Sequence, residues 1–282
     1  MVWQTPPYNP KMPHEYLLIL ELATLGLAAG FLAGMLGVGG GMIMVPFITA
    51  ILSNRAVPTD LAIKMAIATS MSTIVFTSIS SVRAHQRRQA VNWRVVKSIA
   101  PGIVIGAAVA SLGVFSALRG TTLAVLFAAF VCVSATQMLL DKKPPPKRQL
   151  PGPLGLIGAG GVIGFFSGLV GAGGGFITVP FLTWCNIGIH TAVATSAGLG
   201  FPIAIANTVG YAVGGLNVAK LPPYSIGYIW IPALAVIACC SVLTAPIGAT
   251  IAHQLPVKRL KQIFACILYL LASYMLYRAI TA

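Results

Sequence analysis

Two blocks of glycine carry the chemistry that this sequence offers. Residues 30–47 read GFLAGMLGVGGGMIMVPF and residues 164–181 read GFFSGLVGAGGGFITVPF; at an offset of 134 they are identical at 11 of 18 positions. Gly37, Gly39, Gly40 and Gly41 recur as Gly171, Gly173, Gly174 and Gly175. Each glycine inside a helix costs about 1 kcal/mol relative to alanine, so three in a row break it. The helix that restarts after the break has up to four N–H groups without intrahelical partners and a partial positive charge at its tip. Such a tip is suited to an anion.

Other polar residues recur with the blocks. Thr69 and Ser70 match Thr195 and Ser196 within a repeated Ala-Thr-Ser, and Lys64 falls opposite His190. These hydroxyls either bond back to their own helices or orient a ligand held by the tips. Lys64 either snorkels from a first helical turn or draws an anion inward. His190 either caps its helix, attracts an anion or carries a proton. Asn207, further along the same segment as Thr195 and Ser196, is one more polar candidate. The site expected is therefore Gly39, Gly40, Gly41, Thr69, Ser70, Gly173, Gly174, Gly175, Thr195 and Ser196, with Lys64, His190 and Asn207 around it.

The elements that must position these residues are hydrophobic. The 282 residues are 57% hydrophobic and 8% charged, with a mean hydropathy of +0.90; soluble domains carry about 25% charged residues. The composition implies an all-α polytopic membrane protein. Apolar segments are expected at about 16–36, 42–53, 61–82, 95–117 and 121–140. After the polar linker at 141–153 they recur at about 154–170, 176–186, 190–215, 226–252 and 260–279. The repeats are residues 1–140 and 154–282, in one membrane domain. Glycines at 26, 30 and 34 and at 160, 164 and 168 line one helical face, where small residues let another helix approach closely. Five cysteines lie in apolar segments without metal spacing, so no metal site or cofactor is expected.

Lys and Arg set the orientation. Arg83, Arg87, Arg88, Arg94 and Lys97 form one basic loop and Lys142, Lys143, Lys147 and Arg148 another. If both face the cytoplasm, each half crosses the membrane an odd number of times. Each broken pair is then a hairpin returning to its own side, followed by three full transmembrane helices. The halves are inverted, and both termini face outward. The charge of +14 lies in short runs between apolar stretches, which speaks against nucleic acid. The first residues lack a cleavable signal pattern, and oligomeric state is not legible.

Two broken apolar segments in corresponding places point to a transporter binding site. Only Glu15, Glu21, Asp60 and Asp141 are acidic, and a buried cation needs more carboxylates than that, so an anion is the expected cargo. An enzyme is not expected: the four histidines are scattered and lack partner carboxylates. The doubled G-x-G-G-G-x-x-x-V-P block with the repeated Ala-Thr-Ser resembles the TauE/SafE family of sulfite exporters and related anion permeases. That resemblance implies a secondary transporter of the cytoplasmic membrane for sulfite, thiosulfate, sulfoacetate or other sulfonates, coupled to H+ or Na+. The alternative is a permease for a carboxylate or another small anion, and behind it stand a membrane-embedded enzyme and a non-transporting accessory subunit. Lys64 stands where the family often has a second His.

Overall fold

The computed structural model describes residues 12–36, 40–140, 149–218, 221–251 and 257–281. Ten helices follow the expected segments: α1 (Met12–Leu36), α2 (Gly41–Asn54), α3 (Thr59–Gln86), α4 (Trp93–Ala117), α5 (Gly120–Leu140), α6 (Pro153–Val170), α7 (Gly175–Trp184), α8 (Ile189–Gly214), α9 (Ile231–Ile251) and α10 (Val257–Ile280). Among the described residues, seven of these are long and apolar enough to cross a bilayer, while α2 and α7 are short. One segment differs from expectation. Residues 225–230 form a two-stranded hairpin, β1 (Ser225–Ile226) with β2 (Ile229–Trp230), turning at Gly227 with φ 54°, and α9 starts only afterwards. That stretch is apolar enough to read as helix, but Gly227 and the proline pair at 222–223 favour a turn.

The halves pack by exchange. α1 lies along α9, and α6 lies along α4 in the same manner; α5 pairs with α10, and α3 crosses α8. Glycines make the first two contacts. A Cβ on Gly34 would sit 1.9 Å from the Ala245 carbonyl oxygen, and one on Gly102 1.9 Å from that of Ile157. Gly26 and Gly30 abut Ile237 and Ser241, while Gly160 and Gly164 abut Ile99 and Ile103. In lipid, helices gain little from excluding water, so close backbone approach of this kind supplies the attraction.

The core contains α3 and α8, whose apolar side chains are buried on most faces. Most hydroxyls of α3 bond back one turn: Ser72 to the Ala68 carbonyl at 2.8 Å, Thr73 to Thr69 at 2.9 Å and Thr77 to Thr73 at 2.8 Å. This satisfies each hydroxyl without an outside partner. Two threonines reach elsewhere. Thr69 accepts from the Trp230 N–H at the start of α9, and Thr195 accepts from the Asn92 N–H at the start of α4, each at 3.0 Å. α3 and α8 thus each pin the entry of a helix from the opposite pairing.

The glycine contacts generate a test. Gly34→Val and Gly102→Val drive a branched side chain into a facing backbone carbonyl, and overpacking of this kind destabilises by about 1–3 kcal/mol. Each variant is expected to lower the thermal midpoint of the purified protein, whereas Gly158→Val, where a Cβ meets nothing within 4 Å, is expected to leave it unaltered.

Candidate binding site at the paired glycine corners

The two breaks meet in the centre of the bundle. Gly40 precedes α2 with φ 71° and Gly174 precedes α7 with φ 74°, both left-handed conformations that a Cβ disfavours. Gly41 lies against the Gly171 carbonyl, 2.1 Å from where its Cβ would be. Ser70 donates to that same carbonyl at 3.2 Å. Gly40, Gly41, Gly173, Gly174 and Gly175 are all buried, and Gly39 lies outside the described residues. The Gly174 carbonyl accepts the N–H groups of Ile177 at 3.1 Å and Thr178 at 2.9 Å. The N–H groups of Gly175 and Phe176, ahead of those bonds, are ones that a helix start leaves to outside partners.

Beside the second corner is a small cavity. Gly173 lines it with Ser196, Ala197 and Gly200 of α8, Ala33 of α1, and Ile74, Thr77, Ser78 and Ser81 of α3. Its volume of about 10 Å³ matches a single water molecule. The lining is uncharged and rich in hydroxyls, and Ser81 Oγ is buried without a hydrogen-bond partner among the described residues.

The expected residues therefore separate. Gly173 and Ser196 line the cavity, and Ser70 locks the junction between the corners. Thr69 and Thr195 act instead as anchors for the starts of α9 and α4. Lys64 is remote from the cavity at the far end of α3, where Nζ donates to the Ser116 carbonyl at 3.1 Å and sits 5.6 Å from the Tyr228 ring centroid. Burial there pushes the Tyr228 hydroxyl pKa up. At the same end Asp60 accepts from the Thr121 N–H at 2.8 Å, and Arg55 lies 5.7 Å from the Trp230 ring centroid. His190 is exposed in the first turn of α8. Asn207 is fully buried, about two helical turns beyond Gly200, and lies outside the cavity lining.

Sequence reasoning missed Thr77, Ser78 and Ser81. Their signal was the density of hydroxyls in the second half of α3, which helical back-bonding explains equally well. It also missed His85 and Tyr211, which occupy matching places. Nε2 of His85 is 3.2 Å from the Gly34 carbonyl, and the Tyr211 hydroxyl donates to the Gly168 carbonyl. Both are buried, and the Tyr211 ring packs against Phe115 with centroids 4.5 Å apart and planes tilted by 49°. An offset of 126, the one that relates the Ala-Thr-Ser repeats, also relates these two residues.

Comparison with known proteins agrees with this architecture. The family model for the sulfite exporter TauE/SafE matches residues 22–275. A "probable membrane transporter protein" of Haemophilus influenzae is 36% identical over 92% of this chain and 98% of its own length. A protein of the same description from Methanocaldococcus jannaschii is 29% identical over 94% and 98%, and one from Bacillus subtilis 26% over 92% and 97%. No solved structure matches the chain. With the broken helices, the exchanged packing and nearly the whole chain matched, the protein belongs to the TauE/SafE family and is a multi-pass membrane transporter.

Proposed function

We propose that the protein carries a small sulfur-containing oxyanion, such as sulfite or a sulfonate, by alternating access between two inverted halves of the cytoplasmic membrane domain. The supporting observation is the uncharged, hydroxyl-lined cavity beside Gly173, where a broken helix of one half meets α1 and α3 of the other. The hydroxyls of Ser81 and Ser196 supply donors, and among the described residues no carboxylate lines the cavity to repel an anion. Donors left unpaired by a poorly matched ligand cost about 1–3 kcal/mol each, which favours an oxyanion with several acceptor oxygens.

A cavity the size of one water is too small to hold the anion. Admitting the anion requires α3 and the second corner to separate, and the exchanged pairings α1–α9 and α4–α6 provide units that move as blocks. The Thr69 and Thr195 anchors tie α3 to the entry of α9 and α8 to the entry of α4. The basic residues support an inverted arrangement with the N-terminus outside: Arg83, Arg87, Arg88 and Arg94 cluster at one end of α3 and α4, whereas Lys64, Arg55 and the β-hairpin gather at the other. The driving ion is H+ or Na+.

Three outcomes test this reading. Sulfite or a sulfonate is expected to raise the thermal midpoint of the purified protein and to enter proteoliposomes as labelled solute; a rise with carboxylates alone would reject the sulfur oxyanion. Ser81→Ala combined with Ser196→Ala is expected to weaken the anion about tenfold, whereas Thr69→Val with Thr195→Val lowers the midpoint of the ligand-free protein and preserves the increment due to anion. For orientation, a membrane-impermeant maleimide is expected to label Tyr224→Cys in intact cells and Gln89→Cys only after permeabilisation, both positions being exposed.

A further inference from the structure

The second half contains a group of buried oxygens that the anion cavity does not use. Ser167 Oγ, Thr178 Oγ1 and Asn207 Oδ1 belong to residues with no exposed surface, and none has a hydrogen-bond partner among the described residues. All three border the corner between α6 and α7. Ser167 Oγ lies 3.1 Å from where a Cβ on Gly174 would be, and Asn207 Oδ1 2.3 Å from one on Gly168. Thr178 lies one turn beyond Gly174, its N–H bonded to the Gly174 carbonyl at 2.9 Å.

Sequence offsets show that Ser167 and Asn207 face common ground. The offsets of 134 and 126 convert Ala33 into Ser167 and Ser81 into Asn207. Ala33 and Ser81 both line the anion cavity, so their counterparts border the matching space on the opposite side of the paired corners. The chemistry there is different. One Nδ2 hydrogen of Asn207 is donated to the Ile203 carbonyl at 2.9 Å, and its Oδ1 is left as an unpartnered acceptor beside Gly168. α6 also ends there, at Gly171, and the last carbonyls of a helix carry partial negative charge.

We propose that Ser167, Thr178 and Asn207, together with the carbonyl end of α6, bind a small monovalent cation of the sodium type. Neutral oxygens and a helix C-terminus suit a hard, singly charged ion. None of the three side chains titrates near neutral pH, so a proton is not the ligand. Among the described residues, no group of three or more His, Cys, Asp or Glu could hold a metal ion, and without carboxylates a divalent ion is not compensated. As the coupling ion this cation rests on the carrier reading above; its binding does not.

The experiment is a thermal titration of the purified full-length protein with sodium chloride against choline chloride at equal ionic strength, without anion substrate. Sodium is expected to raise the midpoint saturably and choline not. Ser167→Ala and Asn207→Ser, which install the residues of the matching positions, are expected to raise the half-saturating sodium concentration at least about tenfold. If Asn207→Ser does not fold, Ser167→Ala alone carries the test. A wild-type protein indifferent to sodium, or a sodium response that these variants leave unaltered, would overturn the cation site. Stabilisation by sulfite persisting beside a flat sodium response would leave the transport proposal standing. Loss of the sulfite response with sodium stabilisation intact would overturn that proposal alone.

Discussion

A broken helix inside a bilayer must find protein partners for its main chain, because lipid offers none. That constraint organises this molecule. Each half interrupts its hairpin with a glycine corner, and the two corners are buried against one another between α3 and α8. Ser70 ties the junction by bonding the Gly171 carbonyl, and the left-handed turns at Gly40 and Gly174 let the chain restart as helix within the membrane. With the corners central, the remaining helices wrap them, and the glycine-lined faces of α1 and α6 seat against α9 and α4 of the opposite half.

The exchange has a mechanical consequence. A helix of one half is packed more closely against a helix of the other than against its own sequence neighbours, so the packed units are composites of both halves. Thr69 and Thr195 reinforce those composites at their ends, which explains why two repeated threonines need not touch solute. Paired hydroxyls in a duplicated sequence signal a shared role, and here that role is holding helix entries in place.

Duplication has also diverged where chemistry demands it. Ala33 and Ser81 line the small cavity, while their counterparts Ser167 and Asn207 carry buried oxygens without a hydrogen-bond partner among the described residues. Likewise His85 and Tyr211 bond equivalent glycine carbonyls, one with an imidazole and the other with a phenol.

From the residues alone came the membrane class, the helical segments, the doubled corners and the family, because hydropathy, glycine spacing and basic loops are local properties written along the chain. Gly173 and Ser196 were also legible, through the repeat. The partners of Lys64, Thr69 and Thr195, the hairpin before α9 and the hydroxyl lining of Ser78 and Ser81 were not. Each depends on which helix faces which after folding, and a serine or lysine in a span reads the same whether it caps a neighbour or meets a ligand. Packing across the two halves decided those roles, since only contact between distant segments determines which polar atoms are satisfied and which remain available.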